Sequence, residues 1–390
     1  MALKSRGVPF IVPTYSLTGD ILSFERCGLQ YRYYNGSSLP PSRPVQMWTG
    51  EFTHGVLEEA YRCWNTLKDD VSFPWPCSPE EDEQVDLAEN DIRRIGSRIE
   101  KQLLSKGMGH RSSDVREIAY SRVETAINVL GPELFPLIDK TEERISGVRK
   151  LQYVLRGGGD RYELTGIADV ISSVSLYSQL ENPIVQMIKE IVSNLGDRFD
   201  IIVDYKAARR PANNSKYWKN QEWQIQTYSW LKNKAPNTIP VKAGIIIYIN
   251  ELLPSKNDIQ LLKNEISEGN TDVVPERGSE DYYALFRWNG DRDEPLPVLS
   301  QELKFKRALR IIDTSTASID DAVFEIDNIV LTIEKCAQDE ISSGNIFGGN
   351  WPAIGESNDC VACDFKHFCP APSDQRTKNP QVRKPPVAPG

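Results

Sequence analysis

Histidine is scarce in this chain, with 3 residues among 390, and features of several common protein classes are missing. There is no unbroken run of about 18 apolar residues, the length that indicates a bilayer crossing. The first thirty residues also lack the basic segment, apolar run and cleavage site of a secretory signal. We therefore expect a cytoplasmic protein with no membrane contact. A net charge of −9 argues against a basic surface throughout, so nucleic-acid binding would need a local basic patch.

The phosphate-binding sequence G-x-x-x-x-G-K-[ST] of P-loop nucleotide hydrolases is missing as well. The chain therefore has no motor, and any helicase that works with it is a separate chain. Cysteine is present in an odd number, seven, without an export signal. This argues against a disulfide framework and favours metal ligation or simple burial.

Hydrophobic periodicity predicts an α/β protein with helices in its first third and strands from residue 150 onward. Residues 150–173 form two strand-like runs around a Gly-Gly-Gly-Asp turn, which predicts a hairpin. The predicted helices and strands give a core with the order helix, strand, strand, strand, helix, strand. The last 18 residues, 373–390, are rich in Pro, Lys and Arg and predict a disordered tail. The other predicted elements are helices at 50–67, 85–105, 112–130, 177–198, 216–234 and 300–340, and buried strands at 200–206 and 243–250.

Two charged residues follow the apolar run of the strand "DIIVDYK", residues 200–206. Asp204 and Lys206 are two positions apart, so their side chains leave the same face of the strand. Asp169, in "LTGIADVI", is predicted to end the neighbouring hairpin strand in the same way. Two carboxylates that converge at strand ends suit Mg²⁺ or Mn²⁺, which take oxygen ligands. With a lysine that stabilises developing negative charge, the set suffices for metal-assisted phosphodiester hydrolysis.

A basic run accompanies this strand end. Between residues 204 and 220 a single acid, Asp204, stands against five cations, and such a run can follow a phosphate backbone. Gln224 and Tyr228 lie one turn apart on the next predicted helix, where an amide and a phenol can hydrogen-bond to nucleic acid. The cations are Lys206, Arg209, Arg210, Lys216 and Lys219.

Three short sequences, "GIAD", "DYK" and "QIQTY", resemble the G-x-x-D, D-x-K and Q-x-x-x-Y motifs of the PD-(D/E)XK nuclease superfamily, in its RecB-like branch. His54, in "EFTHGVLEEAY", matches the first-helix histidine of that family. The resemblance implies a restriction-endonuclease-like core, a central mixed β-sheet flanked by helices. It also implies catalytic roles for Asp169, Asp204 and Lys206, and a Mn²⁺ or Mg²⁺ ion on His54, Asp169 and Asp204.

The cysteines form a second signature, C-x2-C-x5-C at Cys360, Cys363 and Cys369, with Cys27 near the N-terminus. Four thiolates can hold a [4Fe–4S] cluster or a tetrahedral Zn²⁺, and the sequence leaves both open. The arrangement resembles iron–sulfur RecB-like nucleases of the Cas4 and AddB type, although Gly28 stands where that family usually has proline. A cluster there would close residues 1–372 into a single nuclease domain, with helical insertions at about 68–149 and 174–199.

These features predict a metal-dependent DNA nuclease, a single-strand or end-acting exonuclease in DNA repair, recombination or CRISPR-type defence. Its expected partners are DNA, as single strands or duplex ends, and a separate helicase or a CRISPR adaptation or interference protein. One alternative is a catalytically idle, DNA-binding iron–sulfur scaffold in a larger complex. Another is a four-thiolate redox or structural metalloprotein, which leaves the acids and Lys206 unexplained.

Overall fold

The computed structural model describes residues 12–36, 45–79, 87–353, 359–360, 363–367 and 369–370. A mixed sheet of six strands, flanked by helices, forms the centre of the protein. This confirms the predicted α/β class with a central mixed sheet. The strands are β1 (Thr14–Ser16), β2 (Lys140–Lys150), β3 (Arg161–Ser175), β4 (Arg198–Lys206), β5 (Val241–Tyr248) and β6 (Leu309–Asp313).

The long strand β3 organises the sheet. One of its edges pairs with β2, antiparallel, from Arg161 to Ile171. The other edge pairs first with β1, parallel, at residues 163–165, and then with β4, antiparallel, from Val170 to Ser175. Strand β5 runs parallel to β4, and β6 runs antiparallel to β5. Residues 166–169 of β3 therefore lie in a fork, between the end of β1 and the end of β4.

Strand β4 is buried on both faces, which explains its continuous apolar sequence. Ile201 and Val203 face the core under the helices of residues 45–134, whereas Ile202 faces the core under the helices of residues 216–233 and 316–343. The side chains alternate because successive residues of a strand point to opposite faces. The same alternation carries Asp204 and Lys206 to one side of the strand end.

The helices cover both faces of the sheet. Residues Leu17–Ile21 form a single π-helical turn after β1. Ser215 caps the helix that crosses from β4 to β5, since its hydroxyl accepts a hydrogen bond from the Tyr217 amide. The α-helices are α1 (Leu22–Arg26), α2 (Gly28–Gly36), α3 (Val45–Leu67), α4 (Ile92–Ser105), α5 (Ser113–Leu134), α6 (Pro183–Ile191), α7 (Lys216–Asn233), α8 (Ile249–Leu252), α9 (Lys256–Glu268), α10 (Glu280–Arg287), α11 (Gln301–Ala308) and α12 (Thr316–Ser343).

Most predicted elements are confirmed. Helices α3, α5 and α7 match the predictions at 50–67, 112–130 and 216–234, and strands β4 and β5 match those at 200–206 and 243–250. The predicted order of helix, strand, strand, strand, helix, strand is present in α3, β2, β3, β4, α7 and β5. No helix within the described ranges combines the length and the apolar composition that a bilayer crossing needs.

The first hairpin strand was placed wrongly. Strand β2 ends at Lys150, where the predicted strand began, and residues 151–160 form the connection. Leu151 and Leu155 gave that segment its apolar character, but they are buried inside a compact loop. Strand β2 itself is a polar edge strand whose residues are mostly exposed, so it lacks a hydrophobic pattern. The predicted helical insertion at 68–149 therefore ends before Lys140.

Two other predictions need correction, and some elements were not predicted. The helix expected at 177–198 is only α6, so the insertion at 174–199 also contains the end of β3 and the start of β4. The segment 300–340 is broken by β6 between α11 and α12. Strand β1 and the helices of residues 249–287 were not predicted; α9, α10 and α11 enclose a small core of their own. The predicted tail at 373–390 lies outside the described residues.

Candidate functional site

A cleft of about 540 Å³ opens at the fork between β1 and β4. Strand β3 forms its floor, the first turns of α3 form one wall, and β4 and α7 form another. It brings together six side chains that the sequence predicted for the site: His54, Asp169, Asp204, Lys206, Gln224 and Tyr228 all line it, with Glu51, Glu142 and Arg144 as further charged groups.

Asp169 lies in the middle of the cleft floor. It was expected at the end of its strand, but β3 continues to Ser175. Asp169 is nevertheless exposed to the cleft because β3 pairs with β4 only from Val170 onward. Where β4 has separated from β3, the main-chain amide of Tyr205 donates a hydrogen bond to Asp169 Oδ2, at 2.8 Å, and not to a main-chain oxygen of β3. Local separation of the two strands thus gives this carboxylate its place.

His54 contacts Asp169 from helix α3. Its Nδ1 atom lies 3.2 Å from Asp169 Oδ2, and 32% of its side chain remains exposed. Burial alone would lower the pKa of His54, but the carboxylates of Asp169 and Asp204 outweigh that effect and raise the pKa to about 9. The cleft therefore has a negative potential that attracts cations.

Asp204 and Lys206 form an ion pair at the end of β4, with Lys206 Nζ 2.6 Å from Asp204 Oδ2. Gln224 holds both partners, because Lys206 Nζ donates to its Oε1 at 3.0 Å and its Nε2 donates to Asp204 Oδ1 at 2.8 Å. Gln224 Nε2 also lies 3.4 Å from the Tyr228 hydroxyl. Gln224 and Tyr228 are buried, at 6% and 1% exposure, and they support the Asp204–Lys206 pair; their predicted contacts to DNA stay a prediction.

The glycine of "GIAD" has a steric role in this arrangement. A Cβ atom on Gly166 would collide with the ring of Tyr228. Glycine at this position lets the Tyr228 ring, on α7, lie directly against β3. This close approach brings Gln224, one turn earlier on α7, to the end of β4.

Asp204 is a buried anion in this environment, with 3% of its surface exposed. Its Oδ2 atom is enclosed and, despite the short distance to Lys206, has no well-directed hydrogen bond among the described residues. Burial raises the pKa of Asp204, Lys206 lowers it, and Asp169 raises it again. The local charge is thus incompletely neutralised, and a bound cation would relieve it.

Glu142 is a site residue that the sequence did not reveal. It lies opposite Asp169 in the β2–β3 register, where the pairing is interrupted between Thr141–Val170 and Glu143–Ala168. Its φ of 51° is in the left-handed region, which is strained for a non-glycine residue and recurs at functional sites. Ligand atoms of His54, Glu142 and Asp169 lie within 4.8 Å of one another. Burial and the neighbouring Asp169 raise the pKa of Glu142.

The basic run after β4 does not form the free basic surface that was predicted. Arg210 is 2% exposed and pairs with Asp272, and its Nη1 atom donates hydrogen bonds to the main-chain oxygens of residues 307 and 309. Arg209 pairs with Glu265, and Lys216 Nζ lies 2.9 Å from Asp359. These ion pairs and the burial of Arg210 give no support to the DNA-binding roles of Arg209, Arg210 and Lys216, which stay predictions. Lys219 is exposed over the Trp223 ring, and its role stays a prediction.

The four predicted cluster cysteines lie near enough to influence one another's pKa values. Burial raises the pKa of Cys360, and the thiols of Cys27 and Cys369 raise it further. Burial, Cys27 and Cys369 likewise raise the pKa of Cys363, to about 11, against the lowering effect of a main-chain hydrogen bond. Within the described ranges, no three of the four sulfurs all lie within 4.8 Å of one another.

Comparisons with known proteins add little to this geometry. No protein-family model and no curated protein matches the chain. Among solved structures, a chain titled "Crystal structure of SSO0001" matches with 14% sequence identity and a TM-score of 0.31, covering 93% of this chain and 88% of that chain. A TM-score of this size does not indicate a shared fold.

Proposed function

We propose that this protein is a metal-dependent deoxyribonuclease with a restriction-endonuclease-like core of the RecB-like type. One observation carries the proposal: His54, Glu142 and Asp169 gather in the same cleft as the Asp204–Lys206 pair. Carboxylates and a histidine can hold a divalent cation, and a lysine can stabilise the charge that develops on a phosphate, so together they suffice for metal-assisted phosphodiester hydrolysis.

The residues present fit a hard divalent cation. Carboxylate oxygens suit Mg²⁺ and Mn²⁺, and an imidazole ligand shifts the preference toward Mn²⁺. Burial, with the neighbouring Asp169, raises the pKa values of Glu142 and Asp204, and a bound cation would favour the ionised form of both carboxylates. His54, Glu142, Asp169 and Asp204 would hold the ion. When bound, it polarises a phosphodiester and lowers the pKa of a bound water.

The chain's own groups have separate tasks in this proposal. Lys206, with 24% of its side chain exposed, carries a positive charge from the Asp204 ion pair to the surface of the cleft. There it stabilises the charge that develops on the phosphate oxygens. Gln224 fixes the lysine through a 3.0 Å hydrogen bond, and Tyr228 holds the glutamine in turn. This support keeps the ammonium group in place before substrate binds.

We further propose that the four cysteines bind a [4Fe–4S] cluster with a structural role. Four thiolates on one tetrahedral zinc would lie about 3.8 Å apart, given Zn–S bonds of about 2.3 Å. Among the described residues no three of the thiol sulfurs all lie within 4.8 Å of one another, whereas one zinc needs all four close together and the ligands of a cluster bind separate irons. The cluster would join Cys27 to Cys360, Cys363 and Cys369 and so tie together the two ends of one domain.

The test compares cleavage with binding. The full chain is incubated with end-labelled single-stranded and duplex DNA in Mn²⁺, in Mg²⁺ and in EDTA. The proposal predicts cleavage in either metal and none in EDTA. Binding of DNA without cleavage in any metal would contradict it and support an idle scaffold, while absence of both would favour a metalloprotein with no nucleic-acid role.

A further inference from the structure

The cleft contains one cation that no other group neutralises. Arg144, on β2, lines the cleft and is exposed. It forms no ion pair or side-chain hydrogen bond with any part of the chain that the structure describes. Arg209, Arg210 and Lys216, by contrast, are all held in ion pairs. An unpaired guanidinium two residues from Glu142 is therefore available to an anionic ligand that reaches the metal site.

Apolar side chains stand beside this arginine. Ile167 is the register partner of Arg144 on β3 and lies two residues before Asp169. Its side chain is 44% exposed, and Met47 on the α3 wall is 45% exposed. Paired residues on adjacent strands have Cβ atoms about 5 Å apart. A cation and an apolar surface thus adjoin at the mouth of an otherwise polar cleft.

The α3 wall leaves space opposite this pair. Met47, Gly50 and His54 are spaced at i, i+3 and i+7, so they share the face of the helix that lines the cleft. A Cβ atom on Gly50 would meet no other atom within 4 Å. The packing of neighbouring atoms therefore does not require glycine at position 50. Helix stability does not favour it either, because glycine inside a helix costs roughly 0.5–1 kcal/mol relative to alanine. It keeps open the space between α3 and the β2–β3 hairpin.

We infer that Arg144, Ile167, Met47 and Gly50 form a subsite for one unpaired nucleotide of single-stranded DNA, next to the phosphate at the metal site. Arg144 binds the neighbouring phosphate through its guanidinium group, and Ile167 and Met47 contact the sugar and base. The inference rests on the proposed nuclease function and names its substrate. A volume of about 540 Å³ is in the range of sites for a single small molecule, so the cleft can admit one nucleotide.

Binding of DNA tests the subsite separately from cleavage. Fluorescence anisotropy of a labelled thymidine 12-mer is measured with the full chain in Ca²⁺, which takes the same oxygen ligands, and the probe is checked for integrity afterwards. The variants are Arg144→Ala and Ile167→Ser. Arg161→Ala is the matched control, because Arg161 lies on β3 outside the cleft, is 60% exposed and loses the same charge.

We expect Arg144→Ala to weaken binding about tenfold, the range for a hydrogen bond to a charged group, and to reduce the salt dependence by about 0.7 in the log–log slope. Arg144→Lys should restore part of the affinity. Ile167→Ser should weaken binding of the 12-mer about fivefold and leave binding of a blunt duplex unchanged. Arg161→Ala should bind like the wild type.

Gly50→Trp gives an independent test, since the new side chain would fill the open space. It should abolish binding of the 12-mer without lowering the thermal unfolding temperature. If Arg144→Ala and Arg161→Ala have equal affinities and salt slopes, or if Gly50→Trp binds normally, the subsite is wrong even when the wild type cleaves DNA. If the wild type binds no single-stranded DNA at low salt, the subsite is wrong. If the wild type binds single-stranded DNA but does not cleave it, the result counts only against the proposed function.

Discussion

Lys206 Nζ lies 2.6 Å from Asp204 Oδ2 at the end of β4, and a second aspartate–lysine pair lies at the other end of the same strand. Lys232 Nζ contacts Asp200 Oδ2 at 2.8 Å. The two aspartates are equally buried, and their lysines are 24% and 17% exposed. Only the first pair lines the cleft with the histidine–glutamate–aspartate group, so a comparison of the two pairs separates a structural role from the proposed catalytic one.

Lys206→Ala and Lys232→Ala should therefore differ in activity but not in stability. Each leaves a buried aspartate without its ion-pair partner, a change that costs about 3–5 kcal/mol in buried pairs and less where the lysine is partly exposed. Lys206→Ala should lower the rate of DNA cleavage by at least about 10²-fold, the scale for loss of one group that stabilises a developing anion. Chemical denaturation and initial rates check both variants. Equal loss of activity in the two would mean that Lys206 acts only through stability.

Glu142 should contribute to metal binding. Glu142→Gln removes the negative charge of one carboxylate from the histidine–glutamate–aspartate group and should weaken Mn²⁺ binding at least several-fold. The adjacent Glu143→Gln is the matched control, because Glu143 makes a surface ion pair with Lys140. Free Mn²⁺ is measured by electron paramagnetic resonance, with no substrate present. Identical titrations of the two variants would remove Glu142 from the site.

His54→Ala should lower activity most at limiting Mn²⁺, and excess Mn²⁺ should restore part of it. An imidazole favours Mn²⁺ over Mg²⁺, so the preference for Mn²⁺ should also decrease. Asp204→Ala should not be rescued by metal, because Asp204 also holds Lys206 and Gln224. A His54→Ala variant with the metal dependence of the wild type would show that the histidine is not a ligand.

The sequence could predict some residues of the candidate site but not others. Asp204, Lys206 and Gln224 could be predicted because strand and helix periodicity fixes which side chains share a face. Glu142 could not, because it lies on a polar edge strand without hydrophobic alternation and its position depends on a local backbone irregularity. Charge counts likewise predicted a basic surface near Arg210 but do not reveal that its acidic partner is Asp272, sixty-two positions away.

Protein purified without oxygen should be brown and absorb broadly near about 400 nm, as iron–thiolate clusters do. Cys360→Ala should lose iron and give less soluble protein, since metal binding of this kind contributes to folding. Cys77→Ala should keep its iron, because Cys77 packs against the core under the helices of residues 45–134. Iron, sulfide and zinc analyses check this prediction. Colourless protein with one equivalent of zinc would establish the alternative metal.

The most direct measurement is the initial rate at which the full chain cleaves an end-labelled single-stranded oligonucleotide at saturating Mn²⁺, compared with that of Asp169→Asn. The amide can still accept the hydrogen bond from the Tyr205 amide, so the strands stay in place while the charge at the centre of the cleft is lost. We predict metal-dependent cleavage by the wild type and a loss of at least about 10³-fold in the variant, about 4 kcal/mol of transition-state stabilisation. Equal rates for the two proteins, or no cleavage by the wild type, would contradict the assignment of this cleft as a nuclease active site.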